Sequence, residues 1–465
     1  MKTARLILLV VLLAIISHFA RSQNFLGAHY SPYDAILSGN TNPALPAASN
    51  MRWQVNLFGF SANLDNNYFA IDGKIRDVVS DFDKETSFTQ LLDGKRKNLH
   101  LGTELLGPGG FFKIKNNAIT VGTKMQAVGT LNDFNEDLVY SLYNNFEDIL
   151  NWLPHFTDER AAGGVVAFHE LYAGYARTIN INEKYKIHAG VNFGILTNLF
   201  NAQFTVNHLD FNKVYGGLAD SSINAGNTQF DFYVDDKIDD GYHYKFGING
   251  FGMDIGAVFE WQRENSSDHF LLAGLSFNNI GLTKYNLGKN SRSFIGNNRD
   301  IPAEHLVDGS GETNNLDQVL DSLGTRTVPT GKKKILLPTT INVFGDVRVV
   351  KYFYVNTNLE FNIYSFKRGS AKANMPTDIT VTPRFEMKIV SAFLPLNWNK
   401  YNGFSAGVGV RVGQFTIGSR NLITAFARHH FTGLDLYMNI GFGKSGKSKK
   451  QKEQEENPES GDIKS

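Results

Sequence analysis

Cysteine is absent from the 465 residues, proline numbers only 12, and charged residues make up just 20%. Without cysteine the chain can hold no disulfide framework, thiolate zinc site, iron–sulfur cluster or cysteine nucleophile, and no lipid can be attached through a thiol. Lysine and arginine (46) almost cancel aspartate and glutamate (45), which argues against a nucleic-acid-binding protein, expected to show a basic face and a high pI. Past the N-terminus no apolar run approaches 20 residues, which excludes a helical inner-membrane protein. What is abundant is glycine (44) and aromatics (36 Phe, 18 Tyr, 4 Trp), a balance that favours strands and tight turns.

The first 22 residues read as a signal peptide. Lys2 and Arg5 precede the apolar run Leu6 to Ile16, and Ala20-Arg21-Ser22 places small residues before Gln23, where cleavage is expected. An exported, cysteine-free, strand-rich chain is either a soluble β protein or an outer-membrane barrel.

Period-two alternation decides between them. Ile119, Val121, Thr123, Met125 and Ala127 alternate with Thr120, Gly122, Lys124 and Gln126. The same pattern runs over Tyr185 to Ile195, Val355 to Ile363, Phe404 to Val412 and Leu434 to Phe442. In the first segment Trp53, Val55 and Leu57 switch parity to Phe58, Phe60, Ala62 and Leu64, which predicts a bulge. These segments are longer than the ~5–6 residues of soluble strands and match the ~9–11 of membrane-spanning ones. Their second face, rich in Asn, Gly, Lys and Glu, suits a wet or plugged lumen. Trp53, Tyr68, Trp261, Tyr285, Tyr352, Tyr354, Tyr364, Trp398 and Tyr401 lie near segment ends, as girdle residues would.

The expected fold is therefore all-β: a transmembrane antiparallel β-barrel of about 14 strands, an even number being the rule for such barrels. Residues 23–51 form a hatch-like or lead-in segment, 52–443 the barrel, and 444–465 a disordered charged tail. Short connections (Lys115-Asn116-Asn117, Asn180 to Lys184, Arg263 to Asp268) alternate with long ones (Ile75 to Lys97, Leu131 to Ala162, Asn286 to Lys334). Leu138, Leu142, Phe146 and Ile149 give one long loop a helical spacing, and Ile75 to Phe82 is a weaker case.

Asn42-Pro43-Ala44, on a polar stretch before the first strand, resembles a signature of FadL-like outer-membrane barrels and of the PorV-type barrels of Bacteroidetes. Gly252-Met253-Asp254-Ile255-Gly256-Ala257, then Leu275 to Gly281, then Leu337-Pro338-Thr339-Thr340 follow in an order that resembles an uncharacterised Bacteroidetes family within that group. The resemblance implies the outer membrane of a Gram-negative bacterium, and a hatch built from the N-terminal segment. It also implies passive passage of small molecules, hydrophobic ones among them, or alternatively a non-enzymatic role in secretion or surface-protein assembly with a secretion-system partner. The chain departs from fatty-acid transporters in carrying a polar tail after Phe442.

Other constellations are weaker. Asp235, Asp236, Asp239 and Asp240 share a loop that could hold a cation, but Lys237 and Ile238 break the ligand spacing of a calcium loop. His429-His430 would point to opposite faces of a strand, and Ser419 with His430 lacks a third orienting group and a G-x-S-x-G frame, so no catalytic residue, metal or cofactor is expected. Gly331-Lys332-Lys333-Lys334 has no phosphate-loop frame. Lysines there fit an outer rim facing outer-membrane lipid and lipopolysaccharide.

Overall fold

The computed structural model describes residues 25, 27–72, 88–143, 156–214, 222–239, 242, 244, 246–263, 268–302, 316–363, 377–428 and 430–446. Fourteen antiparallel strands close into a barrel. They are β1 (Met51–Asn66), β2 (Lys97–Ile114), β3 (Asn117–Phe134), β4 (Phe156–Asn180), β5 (Tyr185–Val214), β6 (Gly250–Gln262) and β7 (His269–Asn286). The circuit continues through β8 (Lys332–Leu336 and Thr340–Val350), β9 (Phe353–Asn362), β10 (Asp378–Glu386) and β11 (Val390–Phe393 and Leu396–Asn399). It ends with β12 (Gly403–Ala406 and Val408–Val412), β13 (Phe415–Ser419) and β14 (Gly433–Ser445), which pairs back onto β1. Among the described residues closure leaves no edge strand in the barrel wall, the condition for a sheet to exist in lipid. Among the described residues no helix is long and apolar enough to cross a membrane.

Alternation sets the two faces. Ile187, Val191 and Phe193 of β5 are exposed on the outside while His188 and Asn192 are buried in the lumen. Val408, Val410 and Val412 point out while Arg411 points in. The parity switch in β1 is a bulge: the register to β14 shifts between Asn56 and Phe58, leaving Leu57 and Phe58 both outward. Opposite it, pairing of β1 with β2 stops at Asn56↔Gly109 and resumes at Gly59↔Leu106, so Gly107 and Pro108 are skipped. Proline has no N–H to give the ladder, and its exposed ring marks the place where the wall hydrogen bonding is interrupted.

The inward parity also corrects the girdle. Tyr68, Tyr285, Tyr354 and Tyr401 are buried rather than at the lipid interface. Tyr352 and Trp398 are exposed as a girdle requires, and Tyr364 lies outside the described residues. Position near a strand end locates height only; parity decides which side a ring faces.

Among the described residues five short turns, including Lys115-Asn116 and Gly413-Gln414, lie at the end where β1 begins and β14 finishes, the periplasmic end in the usual layout. At the other end β4 and β5, 25 and 30 residues long, continue beyond what a bilayer needs. Strands Ser222–Asn224, Gln229–Val234, Arg292–Gly296, Ile301–Pro302 and Gly324–Thr327 join them, so the stretch from Asn286 to Lys334 is partly sheet rather than plain loop. The extension has its own core of Ala225, Phe294, Leu320 and Leu323, with Phe230 stacked on Phe294. A helix forms at Glu136–Tyr143, matching the first part of the helical spacing; Phe146, Ile149 and the stretch Ile75 to Phe82 lie outside the described residues, as does the tail beyond 446.

Candidate functional site

The N-terminal segment folds inside the barrel. After a turn at Ala28–Tyr30 it forms helix α1 (Ala35–Thr41), the Asn42-Pro43-Ala44 turn and helix α2 (Leu45–Ala48), nearly all of it buried. α1 is too short to persist alone, so its ends depend on partners. Asp34 caps it, accepting from the Leu37 N–H at 3.1 Å. Gln54 of β1 supplies a second cap, its Oε1 accepting from Ala35 N (2.8 Å) and Ile36 N (3.2 Å) while its Nε2 donates to Asp34 at 2.8 Å. At the C-terminal end Asn192 of β5 donates to the Gly39 carbonyl (3.1 Å), and Ser276 and Asn278 of β7 donate to the Thr41 carbonyl, both at 2.9 Å. The wall thus provides what the helix cannot satisfy by itself.

The Asn42 side chain, fully buried, ties the turn together. Its Oδ1 accepts from Ala44 N at 3.0 Å and its Nδ2 donates to the Leu275 carbonyl at 3.1 Å. Gly190 and Gly256 pair directly across β5 and β6 beneath it. A Cβ on Gly190 would overlap the Pro43 carbonyl, and one on Gly256 would overlap Asn42 Oδ1. Asn42, Pro43 and Ala44 are therefore brought together in a glycine cradle on the lumen wall. The partners that sequence reading misses (Gly190, Gly256, Gln54, Ser276, Asn278) all sit on the polar face of the alternation, but nothing in that pattern singles them out.

Further contacts hold the segment at both levels of the lumen. Tyr30 Oη donates to Asn358 at 2.8 Å, Ser31 Oγ to Glu386 at 3.0 Å, and Lys113 Nζ to the carbonyls of Ala47 (2.6 Å) and Ser49 (2.8 Å). Phe25, Ala28 and Leu37 pack on Phe393, Tyr437 and Leu106, the residue that precedes the skipped Gly107-Pro108. Toward the periplasm a polar cleft of about 190 Å³ lies between residues 47–50 and the wall, lined among others by Lys113, Lys186, His188, Glu260 and His269. Toward the outside the lumen holds an apolar cluster of Val128, Val166, Phe168, Leu196, Tyr285, Ile335 and Leu337.

Charges belt the wall. His188 pairs with Glu260 at 2.7 Å and His269 with Asp346 at 2.8 Å; Arg384 bridges Asp346 and Glu386, each at 3.0 Å, and Arg411 reaches Glu386 at 2.8 Å. Higher up, Arg420 contacts Asp65, Asp378 (3.5 Å) and Asp435 (3.9 Å). Buried charges are tolerated only when paired in this way.

The acidic loop is arranged differently. Asp235 accepts from Asn198 Nδ2 at 2.5 Å, Asp236 from Asn286 Nδ2 at 3.0 Å, and Asp239 from Lys289 N at 2.7 Å. Each carboxylate is taken by a separate protein donor, and Asp240 lies outside the described residues. Among the described residues no three His, Asp or Glu side chains could hold a metal ion. Asp235 lies in the extension above the membrane, where burial pushes its carboxyl up to about 6 despite the opposing Asn198 and Lys237. Folding thus favours its protonated form over the unfolded value of about 3.9. Its stabilising contribution is complete below about pH 4 and lost as pH rises through 6. Protection factors of amides in Gln229–Val234 are expected to fall several-fold between pH 5 and 7, and Asp235→Asn to remove that dependence. Ser419 is buried with its hydroxyl on Asn421 at 3.1 Å, whereas His430 is exposed in a three-stranded cap with Phe69–Asp72 and Phe88–Gln90; His429 lies outside the described residues.

A closed antiparallel barrel with a continuous apolar exterior and a polar, plugged interior is a transmembrane barrel of the outer-membrane class. Within that class the chain belongs to the DUF5723 family, a family of unknown function, whose sequence pattern it matches over residues 43–419. No curated protein matches it. Among solved structures it is similar to a Pseudomonas aeruginosa FadL homologue (10% identity, TM-score 0.41, 91% of this chain and 94% of that one). It is also similar to the Pseudomonas putida toluene transporter TodX (8% identity, TM-score 0.37, 88% and 94%) and to the translocator domain of the autotransporter NalP from Neisseria meningitidis (7%, 0.30, 83% and 88%). Each is a likeness of barrel architecture.

Proposed function

We propose that this barrel is a passive transporter for small hydrophobic molecules, with residues 25–50 as the hatch. The observation that carries the reading is how the segment is held. It occupies the lumen through hydrogen bonds to side chains of many different strands and through a glycine cradle, so it can leave without unzipping the sheet. The apolar cluster between Val128 and Leu337 is a place for an apolar solute to enter from outside. Below it the charged belt opposes such a solute, because paired charges would have to be stripped of partners. The interrupted ladder at Gly107-Pro108, backed by Leu37 and Leu106, offers an apolar exit instead.

Permeation into liposomes carrying the purified barrel tests this. Monoaromatic or fatty solutes are expected to enter faster than through protein-free vesicles, and faster again when residues 24–50 are deleted. If no solute passes even after the deletion, transport is wrong.

A further inference from the structure

The outward face of β7 reads Leu271, Ala273, Leu275, Phe277, then, after a register shift at Asn278-Asn279, Ile280, Leu282 and Lys284. From Leu271 to Leu282 that face climbs about 25–28 Å, at roughly 3.3 Å per residue and a tilt of about 40°. This equals the ~25 Å apolar band of an outer-membrane barrel, so Lys284 stands at the level of the outer-leaflet head groups. Directly opposite it in antiparallel register is Lys334 of β8, with Lys332 two residues along the same outward face. All three lysines are exposed, and no carboxylate pairs with them among the described residues. Asp236, which contacts this edge, accepts from Asn286 at 3.0 Å.

Two like charges facing each other across a ladder, about 5 Å apart at Cβ, destabilise a sheet. A sheet that keeps such a pair gains if an anion bridges it. The anion at this height in an outer membrane is the phosphate of a glycolipid, and lysine is a point-charge binder of phosphate. Beneath the lysines Phe251, Leu282 and Leu336 face outward in one row across β6, β7 and β8. Beside them exposed Tyr242, Tyr244, Phe246 and Ile248 lead into β6 where Asn249 accepts the Lys284 N–H. A charged head-group site thus sits on an apolar and aromatic bed.

We propose that Lys284, Lys332 and Lys334 bind the phosphates of outer-leaflet lipopolysaccharide, with acyl chains along Phe251, Leu282 and Leu336. The test uses the full chain purified in detergent, with bis-phosphorylated lipid A, the same lipid stripped of phosphate, and inorganic phosphate as probes. Bound lipid is counted by native mass spectrometry, and the barrel is followed by its heat-modifiable band. Lipid A is expected to bind and raise the temperature at which the compact band is lost. Dephosphorylated lipid should bind at least tenfold more weakly, and millimolar phosphate should not compete. Lys284→Gln with Lys332→Gln and Lys334→Gln should lower lipid A affinity at least tenfold while keeping the compact band. Lys284→Glu alone should make the lipid-free barrel more heat-resistant, because it now pairs with Lys334, and abolish the lipid response. Binding of lipid A unchanged within twofold in the triple variant overturns the proposal. Full competition by inorganic phosphate overturns the lipid as its ligand.

Discussion

Gly256→Leu and Gly190→Leu are expected to drive the N-terminal segment out of the lumen and make barrel-containing liposomes leak. Both glycines face the Asn42-Pro43 turn with no space for a Cβ, and the obstructing atoms are the Pro43 carbonyl and the Asn42 side-chain oxygen. Neither can swing aside, since Asn42 also holds Ala44 N and the Leu275 carbonyl. Overpacking of this kind costs about 1–3 kcal/mol for a methylene or two, and a leucine adds more. Resisting it are hydrogen bonds, each contributing about 0.5–1.5 kcal/mol net, and the buried apolar contacts of Phe25, Tyr30, Ile36, Leu37 and Leu45. At about 1.4 kcal/mol per decade the displaced population should therefore rise at least tenfold. Chymotrypsin supplies an independent readout, because Phe25, Tyr30 and Leu37 are buried while the segment is docked. Cleavage within residues 25–50 should accelerate at least tenfold in either variant, with the heat-modifiable band retained. Gly345→Ala, where a Cβ meets open space, should leave both measurements unchanged. Faster cleavage without faster solute entry would separate the segment's docking from transport.

The barrel is legible in the sequence because its two determinants are local. Side chains alternate every residue, and lipid on one side and a polar interior on the other force that alternation into composition. Even the bulge can be read, since a parity change from Leu57 to Phe58 has no other meaning in a strand. Legibility ends where contacts are long-range. Tyr285, Tyr354 and Tyr401 lie near strand ends as girdle residues do, yet they are buried, because nearness to an end fixes height and not the side a ring faces. The stretch Ala202 to Asp236 is hard to parse because β5 runs on far past the membrane and then pairs with Gln229–Val234 and neighbouring strands. There the lipid no longer enforces an apolar face. The Asn42-Pro43-Ala44 turn carries a visible signature, but its cradle depends on Gly190 and Gly256 meeting across two strands 66 residues apart in sequence. The acidic loop shows the complementary limit: closeness in sequence does not by itself give convergence in space, and Asp235, Asp236 and Asp239 accept from different donors.

The largest stability effect is expected at Arg420. It is fully buried at the outer end of the lumen among Asp65 of β1, Asp378 of β10 and Asp435 of β14, and its own backbone N–H donates to Asp435 at 2.6 Å. These carboxylates come from three strands distant in sequence, and β14 and β1 form the seam that closes the barrel. Arg420→Met keeps most of the length of the side chain and removes the cation that contacts all three. Breaking a buried ion group by removing one partner costs about 3–5 kcal/mol, because the opposing charges stay buried without compensation. The variant should lose its compact band at a clearly lower temperature or fail to close. A pure packing defect makes a different prediction for the second step. If charge is the cause, Asp65→Asn added to Arg420→Met should recover much of the loss. The amide introduced there would keep an oxygen within reach of the donors Asn399 and Asn402 while removing a negative charge. If the double variant is no better than the single one, the cluster stabilises through shape rather than charge. Asp65→Asn alone should cost less than Arg420→Met, because Arg420 still retains Asp378 and Asp435.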